Sequence, residues 1–246
     1  MLTDLSAQIT AAIATVKARI KTACETHQQD PAQIELMAVS KTKPAEMVRA
    51  AHAAGLKNFG ENYVQEGVEK ILALADLGKD ITWHFIGPLQ SNKTKDVAQH
   101  FDWIHSVDRE KIAQRLSEQR PENMAPLQVC LQVNVSGEAS KSGLNSKEVQ
   151  DLAMKVAGLP RLCLRGLMAI PEPTDDINLQ RARFRQLVSC FQEARQSLPS
   201  DAQKTFDTLS MGMSADLESA IAESIPDADT MVRIGTALFG ERQKTS

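Results

Sequence analysis

Eight short apolar runs alternate with helical patterns along this chain. The β-like runs span residues 34–40, 57–60, 82–86, 102–107, 127–135, 162–168, 206–210 and 230–234. The helical patterns lie near residues 44–54, 62–75, 91–99, 109–119, 146–157, 177–198 and 214–224. Strands that alternate with helices build a parallel sheet, and eight of them in about 250 residues are typical of a closed (β/α)8 TIM barrel. A doubly wound open sheet is the alternative that this pattern leaves open.

An additional helix precedes the first strand. Its apolar residues recur at intervals of three and four and are Leu2, Leu5, Ile9, Ile13, Val16 and Ile20. No linker, low-complexity stretch or change in composition divides the rest of the chain. The sequence therefore predicts one α/β domain over residues 1–246, with an N-terminal helix in 1–28 and the barrel in 34–240.

Charge and composition exclude several classes of protein. The 246 residues carry a net charge of −3, which favours neither nucleic acid nor an anionic membrane. The apolar stretches are too short to span a membrane, and the first residues lack the pattern of a signal peptide. The cysteines have no metal-ligand spacing and are predicted to be reduced core residues; they are Cys24, Cys130, Cys163 and Cys190. We expect a cytoplasmic protein.

The residue that points most directly to chemistry is Lys41, which ends the first apolar run. If that run is a strand, Met37, Val39 and Lys41 share one face, because strand side chains alternate. A lysine on the buried side of a strand is expensive to keep charged, and an uncharged amine can form a Schiff base with an aldehyde. The alternative is a lysine at a strand end that bends into water.

Small and polar residues follow the last two strands. In a barrel, phosphate commonly binds at these two positions, where glycine lets backbone N–H groups approach. The candidates are Ser210, Ser214, Gly235 and Thr236. Ser214 also precedes a helical pattern, so it can be an N-cap, and Gly235 can be a turn residue.

Arg233 lies near the end of the last apolar run. A buried arginine needs partners, so Arg233 either pairs with an acid or faces the mouth of the barrel and binds a ligand. A lysine at the first strand and a phosphate site at the last two together indicate a phosphorylated aldehyde, and pyridoxal 5′-phosphate is the common cofactor of that description.

Five motifs in this chain resemble those of the pyridoxal phosphate homeostasis protein family, and the likeness runs from about residue 30 to residue 242. The motifs are residues 39–43 (VSKTK), 59–66 (FGENYVQE), 83–93 (WHFIGPLQSNK), 209–216 (LSMGMSAD) and 232–240 (VRIGTALFG). The family is similar to the N-terminal barrel of alanine racemase. The resemblance thus implies the same barrel and the same type of cofactor site.

By this resemblance, Lys41 holds pyridoxal 5′-phosphate as a Schiff base and Asn62 lies beside the ring. Arg233 approaches the pyridine nitrogen, while Ser210, Ser214, Gly235 and Thr236 surround the phosphate. The implied function is storage, buffering or delivery of the cofactor to apoenzymes, by a monomer without robust catalysis. An arginine at the ring nitrogen disfavours its protonation and weakens the cofactor as an electron sink.

Two enzyme classes are the alternatives. An amino-acid racemase needs a second base on the opposite face of the ring, and the chain has a single tyrosine, Tyr63. A class I aldolase would use Lys41 directly on a sugar phosphate. Lys141 is either a loop lysine or a second amine for transfer of the aldehyde. His84 and His105 are interpreted as core residues, and Glu61 and Glu66 as acids at a helix start.

Overall fold

The computed structural model, which describes residues 2–137 and 142–241, contains eight parallel strands that close into a barrel in sequence order. The strands are β1 Ile34–Val39, β2 Asn58–Glu61, β3 Thr82–Phe85, β4 Trp103–Val107, β5 Leu127–Gln132, β6 Leu162–Met168, β7 Thr208–Ser210 and β8 Asp229–Ile234. Closure is made by β8 against β1, with Ala38 opposite Ile234. The barrel prediction is confirmed, and the open sheet is excluded.

Helices surround the barrel. They are α1 Leu2–His27, α2 Ala45–Ala53, α3 Val64–Ala73, α4 Thr94–His100, α5 Glu110–Gln119, α6 Ser146–Ala157, α7 Ile177–Ser197, α8 Ser200–Thr205, α9 Leu217–Ala222 and α10 Thr236–Phe239. Short 3₁₀ turns lie at Pro31–Gln33, Ala75–Asp80 and Ser91–Lys93. Among the helices of the described chain, none is both long and apolar enough to cross a membrane.

The N-terminal helix α1 packs against α2, α9 and α10, so it lies where the two ends of the barrel chain meet. Its buried residues Ile9, Ile13, Val16 and Ile20 join the same apolar core as the strands and outer helices. Because the core is shared, we infer that α1 and the barrel fold as one unit.

Several predicted element boundaries differ from the structure, and two of the differences have a local reason. The strand predicted to reach residue 135 ends at Gln132, after which Val133 makes an isolated bridge to Leu144. The helix predicted from residue 214 begins at Leu217, because the side chain of Asp216 accepts a hydrogen bond from the Met213 amide (2.6 Å) and holds the segment before it as a turn. The N-cap interpretation of Ser214 is therefore wrong.

The interior of the barrel has an apolar layer and a polar layer. Met37, Val39, Ile86 and Met231 form a buried apolar cluster inside the strands. Elsewhere among the buried interior groups, His84 contacts His105 (Nδ1 to Nε2, 3.0 Å) and Asn58 (Nε2 to Oδ1, 3.1 Å). The interpretation of both histidines as core residues is confirmed. Cys24, Cys130 and Cys190 are buried free thiols, and Cys163 is partly exposed.

Candidate functional site

A cavity of about 370 Å³ opens at the carboxyl ends of the strands, where a barrel places its chemistry. Six of the seven predicted site residues line it: Lys41, Asn62, Ser214, Arg233, Gly235 and Thr236. Val39 and Ile86, from the apolar layer below, form part of its wall, together with Ile170, Met213 and Ala215. Residues from β1, β2, β3, β6, β7 and β8 or from the loops that follow them therefore converge on one space.

Lys41 lies just beyond β1, which ends at Val39. The backbone continues into a turn at Lys41 and Thr42, and the Lys41 side chain is exposed at the mouth of the cavity. The expectation that Lys41 is buried on the strand is therefore wrong, although Lys41 does point into the space that Val39 lines. The amine is accessible to a ligand in the cavity.

Hydrogen bonds from a largely buried ionic cluster fix the turn that carries Lys41. The ammonium of Lys70 donates to the carbonyl oxygen of Ser40 (2.6 Å), to Glu61 Oε1 (2.7 Å) and to Glu66 Oε1 (2.6 Å). The Ser40 hydroxyl donates to Glu61 Oε1 (2.6 Å), and the Thr42 amide donates to Glu66 Oε1. We call Glu61, Glu66 and Lys70 the turn clamp.

Within the turn clamp, Glu61 is fully buried and Lys70 is almost so, with a side chain 7% exposed. Burial raises the pKa of Glu61, and the ion pair with Lys70 works against that rise. The interpretation of Glu61 and Glu66 as acids at a helix start is incomplete, because both carboxylates bind Lys70. Lys70 itself was not a sequence candidate. A lysine at a polar position of a predicted helix is ordinarily solvent-exposed, and the sequence gives no sign that this one contacts the end of β1.

Arg233 is 4% exposed and is anchored by neutral acceptors. Its Nη1 donates to the Ser210 hydroxyl and its Nη2 to the Ala169 carbonyl, each at 2.8 Å. No ion pair to Arg233 exists within the described part of the chain, so the predicted alternative of an acid partner is not found. Burial lowers the pKa of Arg233 to about 10, with the charge of Asp216 acting in the opposite direction. The guanidinium is therefore a protonated donor at neutral pH.

The segments after β7 and β8 supply hydrogen-bond donors to the same cavity. Among the described residues, no acceptor pairs with the backbone amides of Ser214, Ala215, Gly235 and Thr236. Gly212 makes the first of these segments possible, because its φ is 86° and a Cβ there would lie 2.6 Å from the Cβ of Ala220. Four unpaired amides in residues that line one cavity are suited to an anion.

Ser210 is placed differently from the other predicted phosphate residues. It is fully buried, accepts the hydrogen bond from Arg233 and does not line the cavity. In this structure its hydroxyl orients the guanidinium, which in turn lines the cavity.

Asn62 lines the cavity and carries a buried side-chain oxygen. Its Oδ1 atom is buried and has no hydrogen-bond partner within residues 2–137 and 142–241. The loop after β3 packs against the Asn62 backbone so closely that a Cβ on Gly87 would lie 2.0 Å from the Asn62 carbonyl oxygen. The Asn62 backbone is thus packed closely at the edge of the cavity, while its side-chain oxygen is enclosed and unpaired in the described part of the chain.

Three further candidates lie away from the cavity. His84 and His105 are buried below it, and Tyr63 is 55% exposed and does not line it. Lys141 falls outside the described residues. No group of three or more metal-binding side chains comes together in the described ranges.

Comparison with known proteins gives the family. The model of the alanine racemase N-terminal domain matches residues 12–243. A pyridoxal phosphate homeostasis protein from Pseudomonas aeruginosa is 59% identical over 230 residues, which cover 94% of each chain. The chain belongs to the pyridoxal phosphate homeostasis protein family. A family member from Escherichia coli K12 is 50% identical over 231 residues, 94% of this chain and 95% of its own.

Solved structures extend this comparison. The structure of PipY from Synechococcus elongatus with pyridoxal phosphate bound matches the present structure with a TM-score of 0.80 and 37% identity. The match covers 94% of this chain and all of PipY. Alanine racemase of Corynebacterium glutamicum matches with a TM-score of 0.66 and 16% identity, over 94% of this chain and 62% of the racemase. At that identity the racemase shares the fold.

Proposed function

We propose that this protein binds pyridoxal 5′-phosphate as a Schiff base on Lys41 and acts in the intracellular homeostasis of the cofactor, by storage, buffering or delivery. The observation that carries the proposal is the convergence of an accessible amine, a buried guanidinium and four unpaired backbone amides on one cavity. The bound cofactor in PipY and the names of the relatives support it.

The cavity fits each part of the cofactor. Val39 and Ile86 offer an apolar wall to a ring, and the amides after β7 and β8 offer donors to a phosphate. Asn62 Oδ1 is an acceptor in need of a donor. When bound, pyridoxal phosphate supplies an aldehyde carbon, to which the Lys41 amine bonds with loss of water.

Arg233 favours a carrier over a transaminase. A guanidinium offers donors and no acceptor, and with a pKa of about 10 it keeps its protons at neutral pH. Held by Ser210 and Ala169, it has no acceptor with which to stabilise a protonated ring nitrogen, as a carboxylate would. The site therefore binds and orients the cofactor without strengthening it as an electron sink.

A racemase is the second function that the fold allows, but the position of Tyr63 does not favour it. A second base must face the ring across the cavity, whereas Tyr63 is exposed and lies outside the cavity lining. The relatives are named homeostasis proteins. Delivery to apoenzymes, the monomeric state and a cytoplasmic location stay predictions.

The decisive experiment is borohydride reduction of the protein loaded with pyridoxal phosphate, followed by peptide mass mapping. We expect the label on Lys41, and we expect Lys41→Ala to lose both the label and the visible absorbance while the fold is kept, since removing an exposed side chain leaves no core cavity. Lys43→Ala is the matched control, because the Lys43 amine is two residues away and binds the carbonyls of Gly240 and Glu241. A reducible cofactor that persists in Lys41→Ala would disprove the assignment.

A further inference from the structure

We propose that the turn clamp (Glu61, Glu66 and Lys70) positions Lys41 for covalent capture of the aldehyde, and that it controls the rate of capture and release more than the affinity of the cavity. The inference rests on the proposed function, since it concerns the same lysine. It assigns a role to three side chains that do not line the cavity.

The first observation is the full coordination of Lys70. An ammonium has three N–H donors, and those of Lys70 have three oxygen acceptors at 2.6 to 2.7 Å on Ser40, Glu61 and Glu66. Every donor is used and the side chain is almost entirely buried. Lys70 is therefore a fixed cation that holds other groups and does not compete with Lys41 for an aldehyde.

The second observation is that the turn clamp forms hydrogen bonds with the residues on both sides of Lys41. Before it, the Ser40 carbonyl accepts from Lys70 and the Ser40 hydroxyl donates to Glu61. After it, the Thr42 amide donates to Glu66. The two neighbours of Lys41 are thus tied to β2 and α3, while its own side chain is left facing the cavity.

The third observation is strain at the turn. Thr42 has a φ of 62°, and a β-branched residue rarely adopts this left-handed conformation. Such strain persists only where the surroundings impose it, and it collects at functional sites. In addition, Glu61 Oε2 is buried without a hydrogen-bond partner in the described part of the chain. A buried ion pair with an unpaired acceptor adds little to the free energy of unfolding, because desolvation offsets the attraction between its charges.

Together these observations indicate that the turn clamp positions Lys41. Near the reacting atoms, small displacements have large effects on rate, and the clamp fixes the two residues from which the Lys41 side chain projects. Noncovalent binding depends instead on Arg233 and on the amides after β7 and β8, which the clamp does not contact.

The test compares the rate of covalent attachment of pyridoxal phosphate with the noncovalent affinity for it. In Lys70→Met, we expect the rate constant for covalent attachment of pyridoxal phosphate, followed by stopped-flow absorbance, to fall about tenfold or more. In a Lys41→Ala background, the same substitution should change the noncovalent dissociation constant by less than about twofold. A merely structural role would weaken binding in both backgrounds, and that result would overturn the proposal.

Two further variants keep the test decisive. Glu66→Ala releases Thr42 but leaves the Lys70–Glu61 pair intact, so it should fold even where Lys70→Met does not, and it should slow capture severalfold. Lys155→Met is the matched control, because that ammonium is held by Glu110 (3.1 Å) and Asp151 (2.9 Å) on the outer helices α5 and α6. If Glu66→Ala captures the aldehyde at the wild-type rate, the inference is wrong while the role of Lys41 stands. A label found elsewhere than Lys41 would instead remove the proposed function.

Discussion

Inside the barrel, the hydrogen bonds among Asn58, His84 and His105 all have the same direction: His105 donates to His84, and His84 donates to Asn58. The amide nitrogen of Asn58 donates to Glu35 (2.8 Å), so its oxygen is the acceptor that faces His84 Nε2. His84 Nδ1 must then accept from His105 Nε2. Burial lowers the pKa of His84 to about 3 and also lowers that of His105, where electrostatic interactions with His84 and with Arg233 add to the effect. Both rings are neutral at neutral pH.

This neutrality predicts a loss of stability in acid. A histidine whose pKa is lower in the folded state binds its proton more readily when unfolded, so its contribution to stability is lost as pH falls from 6.5 towards about 3. Each such histidine adds about 1.4 kcal/mol per pH unit to the slope of the free energy of unfolding. In His84→Gln we expect the slope, measured by urea unfolding at several pH values, to fall by about that amount. Equal slopes in wild type and variant would show that His84 is protonated in the folded protein.

We expect the segments after β7 and β8 to make the binding of the cofactor depend on its phosphate. Charge-assisted hydrogen bonds contribute roughly 1.5–3 kcal/mol each. If two or more of the free amides bind phosphate, unphosphorylated pyridoxal should bind about a hundredfold more weakly than pyridoxal phosphate, and inorganic phosphate should compete. Equilibrium dialysis of both vitamers measures this ratio.

Thr236→Ala separates the backbone from the side chain. It removes one hydroxyl donor and leaves the amide of residue 236 in place, so it should weaken binding less than removal of the phosphate does. Binding of pyridoxal within about threefold of pyridoxal phosphate would mean that these segments are simple turns.

The order of the strands and of most helices could be predicted from the sequence, because these elements carry a clear apolar pattern. Two helices were missed: α8 buries none of its residues, and α10 has four residues, too few for a period. The cavity residues were predictable because the ends of parallel strands must meet at one rim. The turn clamp was not, since pairing of Glu61 with Lys70 depends on how α3 packs against β1 and β2.

The placement of Lys41 and Tyr63 in the folded chain predicts little racemisation. The cavity has Lys41 on one side, and among the described residues the lone tyrosine of the chain lies outside it. We expect formation of D-alanine from L-alanine to be absent or orders of magnitude slower than enzymatic rates. Chiral analysis over hours, with an alanine racemase as positive control, measures this, and turnover of several per second would restore the racemase alternative.

The helix α1 lies outside the eightfold repeat, yet it reaches the segment after β7 at the edge of the cavity. Arg19 of α1 binds Glu218 through Nε (2.5 Å) and donates to the carbonyl oxygen of Ser214 through Nη2 (2.8 Å). A sequence lineage that shortened α1 could keep all eight strands and still lose the support of the Ser214 segment. If the cofactor binds in this cavity, its retention therefore depends in part on a helix that lines no part of that cavity.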